Sequence, residues 1–252
     1  MFSHYIALGD SLSIDLYPAL DAGETDVAVA LERVTTAGKV APLGAASLLY
    51  QNDDQRWPED VGADLATRYP GIEYTNLAAD GATIGDVFSE QLPAMAESDI
   101  PTLVTLTIGG EDIFSAYRNQ PGGRLLKRIA QDVAQAYDAL VGRLLELRPQ
   151  ALVLLTTMCD PSDRTGRIPG VLEDAGRLTL APIDSVNRHI REVAEAGDRL
   201  VLADAYLHVL GHGASVPEPD RWYWRRSPLE PNAQGAHELR RVWREALERA
   251  GY

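Results

Sequence analysis

Five short strand-like runs stand far apart along the chain: Tyr5 to Leu8, Glu73 to Asn76, Leu103 to Thr107, Ala151 to Thr156 and Leu200 to Ala203. Between them lie Trp57 to Tyr69, Leu125 to Arg148 and Ile183 to Ala196, where apolar residues recur at three and four positions, the period of a helix buried on one side. Strands separated by helices pair in parallel, because each crossover returns the chain to the same end of the sheet. The expected fold is therefore α/β, a three-layer α/β/α arrangement around a mainly parallel five-stranded sheet. A last helix follows Pro231 and Asn232, with Leu239, Val242, Trp243, Ala246 and Leu247 on the face that packs against the sheet. Asp15 to Asp54 and His208 to Leu229 carry no such period, and loops of that length are read as lids or pocket walls.

With 252 residues and 45% hydrophobic content, the chain can fill one α/β core, so a single domain over residues 1–252 is expected. The 37 acidic against 23 basic residues give a net charge of -14, a field that repels nucleic-acid phosphates and anionic lipid head groups. A neutral or cationic small molecule is the partner this field admits, although acidity also serves solubility alone. Nothing in the composition bears on oligomeric state. Cys159 is the single cysteine, so neither an intrachain disulfide nor a cysteine-rich zinc site is possible; it reads as a small buried hydrophobe at a strand end. Met1 to Tyr5 lacks the basic and apolar regions of a leader, and nothing approaches the ~20 apolar residues of a membrane span. A cytoplasmic protein is expected.

Gly9-Asp10-Ser11 ends the first run, which places the Ser11 hydroxyl at the carboxyl edge of the sheet, where open α/β folds bind ligands. Taken alone, this is equally a turn capped by Asp10 or Ser11. Two further strand ends carry glycine among polar groups: Asn76-Leu77-Ala78-Ala79-Asp80-Gly81-Ala82-Thr83, and Thr107-Ile108-Gly109-Gly110-Glu111-Asp112. Glycine lets backbone approach a substrate, and polar groups at strand ends stabilise developing negative charge.

This trio, in this order after successive strands, resembles the GDSL/SGNH hydrolases, a family of esterases, lipases and related acyl hydrolases with a flavodoxin-like sheet. The resemblance implies Ser11 as nucleophile on an ester substrate, with the Ser11 amide and Gly81 in the oxyanion hole. It also aligns Gly109 to Asp112 with a Gly-x-Asn-Asp motif, and Glu230-Pro231-Asn232-Ala233-Gln234-Gly235 with a His-Pro-Asn-x-x-Gly motif. Three departures stand out: Glu111 replaces the oxyanion-hole asparagine, Glu230 the catalytic histidine, and Ser227 the aspartate.

An ionised Glu111 repels an oxyanion that an asparagine amide would stabilise, so it helps only if protonated or met by a cation. Glu230 can take the Ser11 proton, but a free carboxylate falls about 2 pKa units short of imidazole, roughly 3 kcal/mol. Crowding among Glu230, Glu111, Asp10 and Asp80 in a partly dry pocket raises at least one of their pKa values. His212, between two glycines, and His208 are alternative bases from the long loop, or ordinary loop residues; His4, His189 and His237 read as structural. Asp10, Asp80, Asp112 and Asn232 complete the expected pocket. No cofactor is required, although Asp10, Glu111 and Glu230 suit a hard divalent cation, which would activate water and turn the site to metal-assisted hydrolysis. The other alternative is a binding protein that keeps the fold without turnover. Asp160 to Gly166 reads as a turn at the pocket rim, and Trp222, Tyr223 and Trp224 as an aromatic wall or a loop anchor.

Overall fold

The computed structural model describes residues 1–23, 40–118, 122–171 and 177–252. Strands β1 (His4–Gly9), β2 (Glu73–Asn76), β3 (Thr102–Thr107), β4 (Ala151–Thr156) and β5 (Leu200–Ala203) form one parallel sheet in the order β2-β1-β3-β4-β5. The chain leaves β1 for one neighbour and β3 for the other, so the order reverses there and opens a crevice beyond the strand ends.

Side chains alternate across the pleat, and the two faces receive separate cores. Ile6, Leu8, Val104, Leu106, Val153 and Leu155 pack against α4 (Gly123–Leu147) and α5 (Ala181–Ala196) through Val133, Tyr137, Leu140, Ile183, Val186 and Ile190. Tyr5, Ala7, Leu103, Leu152 and Leu154 face α2 (Ala45–Tyr50) and α6 (Ala233–Arg249) through Leu49, Leu239, Val242 and Trp243. Each buried Leu, Ile or Val contributes about 1.5–3 kcal/mol, which is why both helical layers stay fixed to the sheet. Two shorter elements matter for the site: α1 (Leu16–Asp21) and α3 (Gly110–Arg118). Among the described residues no helix is long and apolar enough to cross a membrane.

The expected helix over Trp57 to Tyr69 is instead a single tight turn, Pro58–Asp60, followed by the short helix Leu65–Arg68. Asp64 sits between them in extended conformation and accepts from the Thr67 amide at 2.8 Å. This starts a new helix rather than continuing an old one. The Asp15 to Asp54 stretch holds α1 and α2, with 24–39 outside the described residues. His208 to Leu229 contains strand β6 (Tyr223–Trp224) and leads into β7 (Ser227–Pro231), which pair as an antiparallel hairpin.

Candidate active site

The turn that presents Ser11 is built from three strand ends. Gly9 closes β1 at φ 122°, and a Cβ there would lie 1.8 Å from the Thr107 carbonyl oxygen, so only glycine lets β1 remain against β3 while the chain turns. The Gln91 amide grips the same residue: Gly9 N donates to Oε1 and Nε2 donates to Gly9 O, each at 2.8 Å. Gln91 ends a π-helical turn, Val87–Gln91, and is buried. Asp10 N donates to Thr107 O at 2.8 Å, and the Asp10 carboxylate accepts from Leu12 N at 3.2 Å, capping the turn Ser11–Ser13.

A pocket opens beside Ser11. It is lined by Asp10, Ser11, Gly81, Gly110, Glu111 and Glu230, with Leu12, Ile108, Phe114, Met158, Cys159, Pro161 and Leu229 as its main apolar surface. Three of its lining residues are carboxylic acids, and none is Lys, Arg or His. Among the described residues neither the Ser11 nor the Gly81 amide donates a hydrogen bond. Gly110 and Glu111 open α3, whose first amides have no intrahelical acceptors and give this wall partial positive charge.

Glu230 reaches the pocket from the hairpin. Asn232 holds it in place two residues on: its Oδ1 accepts from Gly235 N at 2.8 Å, capping α6, while Nδ2 donates to Arg221 O at 2.7 Å. Asn232 is thus an anchor of the hairpin and does not line the pocket. Burial pushes the Glu230 carboxyl up to about 8; the neighbouring Ser11 hydroxyl, as a hydrogen-bonding group, acts the other way, and the charges of Asp80, Asp10 and Glu111 add to the rise. Its Oε2 is buried without a hydrogen-bond partner. Asp10, also desolvated, is raised to about 7.

The other acidic residues are occupied. Glu111 points its carboxylate at Arg118, about two turns further along the same face of α3, at 2.6 and 3.3 Å. Asp80 lies outside the pocket and accepts at both oxygens from the Tyr17 hydroxyl, each at 2.9 Å. Asp112 accepts from Ile84 N at 3.1 Å, tying α3 to the segment after Gly81. Tyr17 and Arg118 carried no signal in the sequence, because their roles depend on partners 63 and 7 residues away.

His212 lies outside the pocket, stacked on Trp222 with ring centroids 3.5 Å apart and its Nδ1 donating to the Asp220 carbonyl at 2.7 Å. His208 pairs with Glu238 at 2.8 Å. Trp222, Tyr223 and Trp224 also line no part of the pocket; Trp222 holds His212, Tyr223 is buried, and Trp224 packs near Tyr17. Cys159 does line it, with burial pushing its thiol up to about 12. Asp160 folds back on Ser162 and Arg164 amides, a turn from which Pro161 reaches the rim.

The expected metal ligands Asp10, Glu111 and Glu230 do not converge as a donor set, since Glu111 is turned to Arg118. Among the described residues the group that does converge is Glu59, Asp60 and His237, away from the pocket lining. There Arg240 donates to Asp60 at 2.8 Å and to His237 Nδ1 at 2.6 Å, and Arg244 also bonds Asp60. Burial and the Arg240 charge lower His237 to about 4. This is an ion-pair network that fastens α6 to the turn at Pro58–Asp60.

The sequence matches the model of the GDSL-like Lipase/Acylhydrolase family over residues 7–237. A search of curated proteins finds no significant match. Among solved structures, a phospholipase A1 from Streptomyces albidoflavus is similar at 19% identity and TM-score 0.57, covering 98% of this chain and 100% of that one. An extracellular lipase from Streptomyces rimosus is similar at 21% identity and TM-score 0.52, covering 97% and 99%. An acetylxylan esterase from Geobacillus stearothermophilus is similar at 19% identity and TM-score 0.55, covering 99% and 94%. At these identities the likeness is one of fold.

Proposed function

The chain belongs to the GDSL-like lipase/acylhydrolase family, and from that premise we propose that it is a serine ester hydrolase in which Glu230 does the work of the missing histidine. The observation that carries this reading is the environment of Glu230: a partly desolvated carboxyl beside Ser11 whose pKa stands at about 8. A carboxylate with the ordinary value of 4.5 is a poor acceptor for a hydroxyl proton, whereas one near 8 is poised as a general base is required to be.

In the first half-reaction ionised Glu230 takes the Ser11 proton as Oγ attacks the ester carbonyl. The oxyanion is met by the unpaired Ser11 and Gly81 amides, supported by the positive end of α3. Glu230, now protonated, gives its proton to the departing alkoxide and leaves an acyl-Ser11. Water then attacks that ester, Glu230 takes the water proton, and its return to Ser11 Oγ frees the carboxylic acid. Glu111 contributes no donor, and its pairing with the Arg118 guanidinium at 2.6 Å offsets part of its repulsion toward the oxyanion.

Incubation with a fluorophosphonate probe tests the reading. Wild type is expected to label, Ser11→Ala is not, and short aryl esters should be turned over only by the labelled protein. Absence of both label and Ser11-dependent turnover would assign the pocket to binding without chemistry.

A further inference from the structure

Resting on the ester-hydrolase reading, we infer that the acyl group this pocket accepts is short, two to four carbons, because the cavity beside Ser11 closes on a floor that is pinned in place.

The volume sets the scale. The cavity measures about 80 Å³. An apolar protein cavity of ~150 Å³ takes up benzene, six carbon atoms, so half that volume holds roughly three. Depth is limited by buried lining residues, the apolar Ile108 at 2% and Met158 at 5% exposure together with Thr107, Thr156 and Thr157 at 1%. Phe114, Leu12 and Leu229, which are half-buried, form the rim.

A floor limits chain length only if it cannot yield, and the segment Thr156 to Met158 at the end of β4 is tied down from behind. Met158 N donates to Asn187 Oδ1 at 2.7 Å, and Asn187 Nδ2 returns a bond to Met158 O at 2.9 Å. A Cβ on Gly109 would stand 3.2 Å from Met158 Sδ, so the glycine is what lets the thioether pack this close to the β3 end. The Thr156 hydroxyl accepts from Trp243 Nε1 at 2.9 Å. The Thr157 hydroxyl donates to Asp204 at 3.0 Å and accepts from Tyr206 N at 2.9 Å. Deepening the cavity by shifting the end of β4 would break these buried hydrogen bonds, which leaves the Met158 side chain as the part of the floor a substitution can remove.

Aryl esters of acetate, butyrate, octanoate and laurate, assayed on the intact chain, test the inference. The kcat/KM value is expected to fall at least about 10-fold between butyrate and octanoate, since a single misfit methylene in an apolar pocket already costs that much. Met158→Ala should raise octanoate relative to butyrate, and Met158→Leu, which conserves volume, should keep the wild-type ranking. If Met158→Ala does not fold, the wild-type profile decides alone. A flat or rising profile to laurate, with Ser11 still labelled by fluorophosphonate, overturns the length limit and leaves the hydrolase reading standing. No label and no Ser11-dependent turnover at any length overturns both.

Discussion

A glutamate can replace a histidine as proton acceptor, as proposed for residue 230, only where its surroundings make the carboxylate costly, and there that cost comes first from burial and then from three neighbouring acids. The replacement has a kinetic signature. With a pKa of about 8, only about a tenth of Glu230 is ionised at pH 7, so kcat/KM is expected to climb about tenfold per pH unit below 8 and to level off above it. An imidazole base would level off near 6.5. Glu230→Gln keeps the shape and removes the acceptor; a loss of about 10²- to 10⁴-fold is expected, with the ascending limb gone. A pH–rate profile of both proteins checks this, and a limb centred near 6.5, or full activity in the glutamine variant, would move the base elsewhere. Little of this was legible in the sequence. The substitution at 230 was visible against the motif, and crowding gave the direction of the shift, but the pairing of Glu111 with Arg118 and of Asp80 with Tyr17 arises only when distant segments meet.

At the scale of elements the sheet was readable almost to the residue, because a parallel strand buried on both faces is a short continuous apolar run bounded by turn residues. β4 and β5 begin and end where their apolar runs do. The Trp57 to Tyr69 segment misled for the converse reason: its apolar residues keep helical spacing, but Asp64 caps a fresh start within it. The turn carrying Ser11 depends on a contact no local pattern announces, the Gln91 amide closing both backbone groups of Gly9 from a π-helical turn 82 residues away. π-helical turns are rare and occur frequently at functional sites; this one ends on the side chain that reaches the end of β1. Gln91→Ala strips a buried N–H of its partner and deletes one of the carbonyl's, a cost of about 2 kcal/mol, or roughly 4–8 °C in Tm. The turn that aims Ser11 loosens with it, so a fall in kcat larger than the change in KM should accompany the lower melting point. Thermal melts and steady-state kinetics on the variant measure both, and unchanged kcat would show that Gly9 holds its conformation unaided.

For the molecule as a whole, the protons that the proposed mechanism assigns to turnover also enter its stability. Glu230 and Asp10 have ordinary values of 4.5 and 3.8, and the fold raises them to about 8 and about 7. Between the two values of each group the folded chain holds a proton the unfolded chain has released. The stability this contributes is complete below the ordinary value and is lost as pH rises through the folded one. His237 runs the other way: its 6.5 is lowered to about 4, so its contribution grows as pH rises and is complete above 6.5. Above pH 6.5 the two carboxyls therefore act unopposed by His237, on a chain already carrying a net charge of -14. The melting temperature is expected to fall from pH 6.5 to 8.5, the window in which Glu230 ionises; in the proposed mechanism the form that turns over is the less stable one. Glu230→Gln, neutral throughout, should lose part of that slope and melt higher than wild type at pH 8.5 by a wider margin than at pH 5. Calorimetric melts across this range decide the matter, and parallel slopes for the two proteins would mean that Glu230 is ionised at neutral pH and that its burial exacts no such cost.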